Sequence, residues 1–245
     1  MLLSVKGLTH YFGGLRAVND FNMEIEKGII QGLIGPNGAG KTTTFNLITG
    51  MHVPTSGEII FSGDNITGKP AYHIAGKGIA RTFQNLKLFS RLTVRENIRV
   101  VQNKQGKDAA AEEERLIKLF ELEKYAEYRS CDLPYGAQRR LEIARALAIK
   151  PKLLLLDEPA AGMNPSEVDN LSELINMIIK EFDITILLIE HQMRMVMKLC
   201  HKLTVLNFGE VIATGAPRDI LNNSGVVEAY LGKGGASIRG KRSER

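Results

Sequence analysis

Only two cysteines, Cys131 and Cys200, occur in 245 residues, too few and too far apart for a disulfide framework or a sulfur-based metal site. Both read as packed thiols of a reducing compartment. Long hydrophobic runs are missing too: those such as 153-LLLL-156 fall far short of the roughly 18 residues a membrane-spanning helix needs. The N-terminus lacks the pattern of a signal peptide. A soluble protein is expected, reaching a membrane only through a partner. No repeat period is visible, which sets solenoids and propellers aside. Excess charge is scarce as well. Of the net +5, the segment 233-KGGASIRGKRSER-245 supplies +4, from five basic residues and one acid. A basic stripe on a folded face, the footprint of a nucleic-acid binder, is therefore not expected. The segment reads as a mobile tail able to touch anionic headgroups.

What is present is a chain that is 44% hydrophobic, enough to bury the core of one compact domain or of two closely packed lobes. Short strands are expected at 2-LLSVKGL-8, 22-NMEIE-26 and 58-EIIFSG-63, giving an antiparallel lobe within about 1–66. Three fully apolar runs, 29-IIQGLI-34, 153-LLLL-156 and 184-ITILLI-189, suit a parallel sheet covered by helices on both faces. Between the first two, helical spacing at 109-AAAEEERLIKLFELEKY-125 and 137-AQRRLEIARALAI-149 marks an inserted helical lobe over about 85–150. The fold class is α/β, a P-loop NTPase (RecA-like) core with an N-terminal antiparallel β subdomain and an inserted helical subdomain. One domain is expected over 1–232.

The stretch 35-GPNGAGKT-42 fits G-x-x-x-x-G-K-[ST] and lies between an apolar strand and the helical segment 41-KTTTFNLITG-50. Gly35, Gly38 and Gly40 let the backbone curl, so that the N–H groups from Gly35 through Pro36, Asn37, Gly38, Ala39 and Gly40 form a nest at a positive helix end. Proline contributes shape there and no donor. Lys41 then neutralises β and γ oxygens of a nucleotide, Thr42 places a hydroxyl on Mg²⁺, and Thr43 donates to a phosphate.

The second apolar run ends in Asp157-Glu158-Pro159, two carboxylates at the sheet edge where α/β proteins bind ligands. Asp157 is the candidate Mg²⁺ holder. Glu158, expected on the opposite face of the pleat, is the candidate general base for an attacking water. The third run delivers Glu190-His191 to the same edge, where His191 can link the γ-phosphate to Glu158.

With these motifs in this order, the chain resembles the nucleotide-binding subunit of ATP-binding cassette (ABC) transporters, over nearly everything before the tail. The resemblance implies that Gln84, in 81-RTFQNLKLFSRLTVREN-97, contacts Mg²⁺ and the attacking water, and that Gln84 to Phe89 meets a cytoplasmic helix of a membrane subunit. It implies an aromatic stacked on adenine, Phe12 with Tyr11 as the alternate. The implied ligands are ATP and Mg²⁺. The implied partners are a second ATPase subunit, identical or paralogous, two transmembrane permease subunits and, indirectly, a solute-binding protein, all at the cytoplasmic face of the cell membrane.

The family signature Leu-Ser-Gly-Gly-Gln falls on Leu133-Pro134-Tyr135-Gly136-Ala137, of which Leu133 and Gly136 survive. The signature serine donates to the γ-phosphate held by the other subunit, and Pro134 has neither a hydroxyl nor an N–H. Proline suits a first helical turn, however, and Tyr135, Gly136 and Ala137 still offer backbone to an anion at a positive helix end. One contact is weakened, and the site persists. In the dimer-contact loop, Asn164 stands where the family has aspartate. These departures, with 78-GIARTFQN-85 and 158-EPAAGMNP-165, look most like ATPase subunits of branched-chain amino acid importers. An exporter ATPase of the lipopolysaccharide type and a soluble ABC ATPase acting on nucleic acid are the rival functions.

Overall fold

Gly13, at a φ of 58°, and Gly14 fold the chain tightly between β1 (Leu3–Phe12) and β2 (Leu15–Ile25). The structure, a computed structural model, describes residues 1–102 and 106–231; the tail expected at 233–245 lies outside them. After β2 the chain enters β3 (Ile30–Ile34) and α1 (Lys41–Ile48), then returns through β4 (Ser56–Phe61) and β5 (Asp64–Asn65). β1 pairs antiparallel with both β2 and β4, giving a four-stranded sheet of order β2-β1-β4-β5.

The chain continues through α2 (Ala71–Gly76), β6 (Ile79–Arg81), α3 (Val94–Arg99), α4 (Lys107–Leu119) and α5 (Tyr135–Leu147). β7 (Leu153–Asp157), α6 (Pro165–Glu181), β8 (Thr185–Ile189), α7 (Met193–Leu199), β9 (Lys202–Asn207), β10 (Glu210–Gly215), α8 (Pro217–Leu221) and α9 (Ser224–Leu231) complete it. The second sheet has six strands in the order β10-β9-β3-β8-β7-β6, parallel except for the β9–β10 edge. The three expected apolar strands are thus its centre.

Alternation along the central strands explains why they read as continuous apolar runs. Leu154, Leu156, Ile186 and Leu188 face the core shared with α5 and α6, whereas Leu153, Leu155, Leu187 and Ile189 face α1 and the antiparallel sheet. In the helical lobe, Arg95 and Arg99 of α3 both bond the buried carboxylate of Glu113 on α4, at 2.7 and 2.8 Å. Charge-assisted bonds thereby tie two helices that also share the core through Val94, Ile98, Leu116 and Ile117.

Several sequence expectations need adjustment. The helix expected over 109–125 runs from Lys107 to Leu119, because Glu121 takes a left-handed φ of 53° and residues 123–125 form a separate 3-10 turn. The helix expected from 137 starts at Tyr135, with Pro134 capping it in an extended conformation (φ −56°, ψ 149°). Proline therefore stands just before the first turn rather than in it. The hairpin strands are longer than the expected 2–8 and 22–26, since exposed polar positions in β1 and β2 are held by cross-strand hydrogen bonds.

Candidate active site

The loop between β3 and α1 owes its shape to two close approaches. A Cβ on Gly35 (φ 153°) would lie 2.0 Å from the Leu206 carbonyl oxygen, and one on Gly40 (φ 101°) 2.5 Å from that of Ala17. Only glycine fits at either position. The first bond within α1 runs from the Thr44 N–H to the Gly40 carbonyl at 2.9 Å, so the N–H groups of Lys41, Thr42 and Thr43 belong to an open helix end. The Lys41 ammonium donates to the Gly35 and Pro36 carbonyls at 2.8 and 2.9 Å. Burial lowers its pKa, against the opposing pull of the Glu158 and Asp157 carboxylates.

This loop forms one wall of a cleft of about 820 Å³, which also takes in Phe12, Gln84, Glu158 and His191. Residues from Gly35 to Thr43, Pro36, Asn37 and Ala39 included, line it in an unbroken run. Phe12 is on the wall, and Tyr11 is not. His10 and His52 meet the Phe12 ring edge-on, with centroids 4.6 and 5.3 Å away, and fix its attitude.

The two carboxylates after the LLLL run are separated differently from the expected pleat alternation. β7 ends at Asp157, and Glu158 sits beyond it at a left-handed φ of 47°, its N–H bonded to the Ile189 carbonyl at 2.9 Å. The turn, not the pleat, sends its side chain into the cleft. There Gln84 Nε2 donates to Glu158 Oε2 at 3.0 Å, and His191 Nδ1 stands 3.9 Å from the same oxygen. Glu158 sits at a strained backbone position, a common signature of functional sites.

Asp157 is buried behind the cleft and is not part of its wall. Its Oδ2 accepts from Arg81 at 2.7 Å, while Oδ1 is buried with no hydrogen-bond partner. Burial raises its pKa, with Arg81 acting in the opposite sense. An orphaned hard oxygen acceptor beside a phosphate loop, with the Thr42 hydroxyl on the neighbouring helix end, suits an oxygen-loving divalent cation. Among the described residues no cluster of three His, Cys, Asp or Glu side chains could hold a metal alone. So few protein oxygens fit a hard cation that takes its remaining ligands from elsewhere, such as phosphate.

Tyr135, Gly136 and Ala137 are not brought into this cleft. α5 begins elsewhere on the surface, and its first intrahelical bond joins the Gln138 N–H to the Pro134 carbonyl at 3.0 Å. The three preceding N–H groups form a second open helix end. A Cβ built on Gly136 meets nothing within 4 Å, so the fold itself does not require glycine there. The Tyr135 hydroxyl donates to the Ala161 carbonyl at 3.0 Å, joining this helix start to the loop after Glu158.

Other residues hold the site together. Arg139, wholly buried, pairs with Glu142 at 2.7 Å and donates to the carbonyls of Phe83 and Gln84 at 2.9 and 3.1 Å. The start of α5 is thus bonded to the loop that carries Gln84, the glutamine loop. Glu190 is structural: its carboxylate accepts from the N–H groups of Ala160, His191 and Gln192 and shapes the turn under Glu158. Asn164 caps α6, accepting from the Glu167 N–H at 3.0 Å while the Glu167 carboxylate accepts from the Asn164 N–H at 2.8 Å. Tyr230 of α9 lines the cleft, its phenol pKa raised by burial and pulled back by the Gly35 backbone beside it. The Arg139–Glu142 pair could have been found as opposite charges three residues apart on an otherwise apolar helix face; nothing local in the sequence marks Tyr230.

Comparison with known proteins bears on what this cleft does. A family model described as "ABC transporter" matches residues 18–161, and one described as "Branched-chain amino acid ATP-binding cassette transporter" matches 210–236. The chain is 42% identical to the high-affinity branched-chain amino acid transport ATP-binding protein BraF of Pseudomonas aeruginosa, covering 95% of this chain and 98% of BraF. It is 44% identical to LivG of Escherichia coli K12, which carries the same description, with the same coverage. It is 36% identical to the E. coli lipopolysaccharide export system ATP-binding protein LptB, covering 94% and 97% of the two chains. Among solved structures, the ADP conformation of MJ1267, an ATP-binding cassette of an ABC transporter, superposes with a TM-score of 0.87 at 27% identity, covering 95% of this chain and 99% of that one.

Proposed function

The chain belongs to the ABC transporter family, and from that premise we propose that it is the ATP-hydrolysing subunit of an importer for branched-chain or related hydrophobic amino acids. The observation that carries the reading is the division of the machinery within one chain. Phosphate loop, Glu158, Gln84 and His191 meet in one cleft, while the open helix end at Gly136 points elsewhere. Two copies set head to tail complete two sites, each nucleotide lying between the 35–42 loop of one copy and the Gly136 end of the other. Gly136 leaves open space for a phosphate, and the adjacent N–H groups bind it without a serine hydroxyl.

Within each site the ring of Phe12 stacks on adenine, and the N–H groups of the loop cradle the phosphates. Lys41, released from its own loop carbonyls, moves onto the β and γ oxygens. Thr42, Asp157 and Gln84 would hold Mg²⁺, which would supply neutralising positive charge. Glu158 accepts a proton from the attacking water, Gln84 orients that water, and His191 bridges Glu158 to the γ-phosphate. Nucleotide favours the closed pair because it binds across the interface, and hydrolysis removes that bias.

Among the described residues no helix is long and apolar enough to cross a membrane, and this reading assigns the membrane passage to two permease subunits as partners. A groove of about 410 Å³, bordered by Ile74, Phe83, Lys87, Phe89 and Arg145, opens beside the glutamine loop. Its mixed apolar and basic wall suits an amphipathic permease helix at the cytoplasmic face of the membrane. Leu88, by contrast, is partly buried against the core. The higher identity to BraF and LivG than to LptB, together with the match at 210–236, favours import of an amino acid over lipopolysaccharide export.

Purification from native membranes tests the proposal. The expected result is a detergent-dependent complex with two membrane subunits, whose ATPase activity rises when leucine, isoleucine or valine and the cognate binding protein are added. Recovery with nucleic acid instead, or stimulation by a lipopolysaccharide precursor alone, would overturn it.

A further inference from the structure

One buried cation behind the cleft takes no part in the steps above. Arg81 ends β6, and its side chain is 6% exposed against 2% for that of Asp157. Nη2 donates to Asp157 Oδ2 at 2.7 Å, and Nη1 donates to Asn46 Oδ1 on α1 at 2.6 Å. The guanidinium lies over the rings of Phe45 and Phe83, 5.5 and 4.8 Å from their centroids. Nε has no acceptor. Three parts of the site therefore converge on one planar group: the helix behind the phosphate loop, the strand-end carboxylate, and the residue before Gln84.

A buried ion pair of this kind contributes little net stability, because desolvation offsets most of the attraction. Its geometric effect is larger. A carboxylate can turn about its last bond, and anchoring one oxygen fixes where the other points. Here the anchored oxygen is Oδ2, and the oxygen left over is the buried, unpartnered Oδ1. Asn46 holds the far side of the guanidinium, so the fork cannot swing away with the carboxylate.

We propose that Arg81 is a positioning residue that presents Asp157 Oδ1 to the divalent cation bound with ATP. This rests on the reading of Asp157 as a holder of that cation. Lysine cannot reproduce the arrangement, since a single ammonium lacks the planar fork that reaches Asp157 and Asn46 together. Arg81 also borders the groove beside the glutamine loop, so one side chain connects that wall with the metal-holding carboxylate.

The test uses the full chain with Mn²⁺ as the probe, its affinity for the ATP complex read from the free-ion resonance spectrum. Arg81→Met is expected to weaken Mn²⁺ binding by about tenfold, the scale typical of lost outer-shell partners, while ATP affinity in EDTA stays within about twofold. Arg81→Lys should fall between that variant and the parent. Asp157→Asn is the control for the underlying reading: it too must weaken Mn²⁺ binding. If Asp157→Asn weakens binding and Arg81→Met does not, the positioning role is overturned and the reading of Asp157 stands. If Asp157→Asn leaves Mn²⁺ affinity unchanged, that reading fails and the proposal with it. Loss of thermal stability in Arg81→Met with unchanged Mn²⁺ affinity would show a purely structural role. Should neither Arg81 variant fold, Asn46→Ala decides in their place: a few-fold weaker affinity supports the proposal and an unchanged one overturns it.

Discussion

Gln84 and Glu158, 74 positions apart, share a hydrogen bond of 3.0 Å between the amide nitrogen of one and Oε2 of the other. The candidate base is thus held by a neutral donor, which orients the carboxylate without consuming its charge. Glu158→Gln keeps the shape and removes the basicity. Hydrolysis is expected to fall by about 10²–10⁴-fold, the usual contribution of a positioned base. ATP binding should persist and closed pairs accumulate, as seen by phosphate release alongside light scattering. Undiminished turnover would exclude Glu158 as the base.

Lys41→Met separates binding from folding. The ammonium carries a desolvation cost, reflected in its lowered pKa, and its two bonds are to carbonyls of its own loop, one buried and one partly buried. Nucleotide affinity should collapse by more than about 100-fold, as expected for a charge-assisted phosphate contact. Stability without nucleotide should stay within about 1 kcal/mol of the parent, because a costly buried charge is removed along with its bonds. Chemical denaturation and a fluorescent nucleotide titration read the two effects independently.

At the start of α5 the same separation takes a different form. Gly136 has space for a Cβ, so Gly136→Ala should keep or slightly raise stability, by up to about 1 kcal/mol. If a partner's phosphate fills that space, ATPase activity falls nonetheless. Gly136→Asp, which sets a carboxylate against the phosphate, should nearly abolish it. Pro134→Ser is expected to change activity only modestly; a rise of orders of magnitude would mean that the missing hydroxyl limits the site.

Asn164 gives a prediction about folding alone. Its side chain caps α6 reciprocally with Glu167, so Asn164→Ala should cost about 1 kcal/mol, measurable as an earlier midpoint in urea. Asn164→Asp keeps the acceptor and should be close to neutral.

How much of this was legible in the sequence depends on range. The phosphate loop and the apolar strands are local patterns, and β3, β7 and β8 lie where those patterns place them. The capping box Asn164-Pro165-Ser166-Glu167 is an equally local pattern, although no helix over α6 is among the sequence expectations. Arg81 is different: it reads as an ordinary polar residue, and only the distant Asn46 and Asp157 show what it holds. Arg139 likewise takes its meaning from carbonyls more than 50 residues away. The turn at Glu158 is not legible, because alternation along a strand says nothing about the residue that leaves it.

The separation of the cleft from the Gly136 helix end has an arithmetic consequence. If two copies pair head to tail as proposed, two lesions in one copy fall in different places: damage at Lys41 harms one site, and damage at Gly136 harms the other. In a mixed pair of one Lys41→Met copy with one Gly136→Asp copy, both lesions land in the same site and the second site is made wholly of unaltered parts. Two preparations that are each nearly inactive should therefore regain activity on mixing, up to one working site per mixed pair, and two copies bearing the same lesion never will.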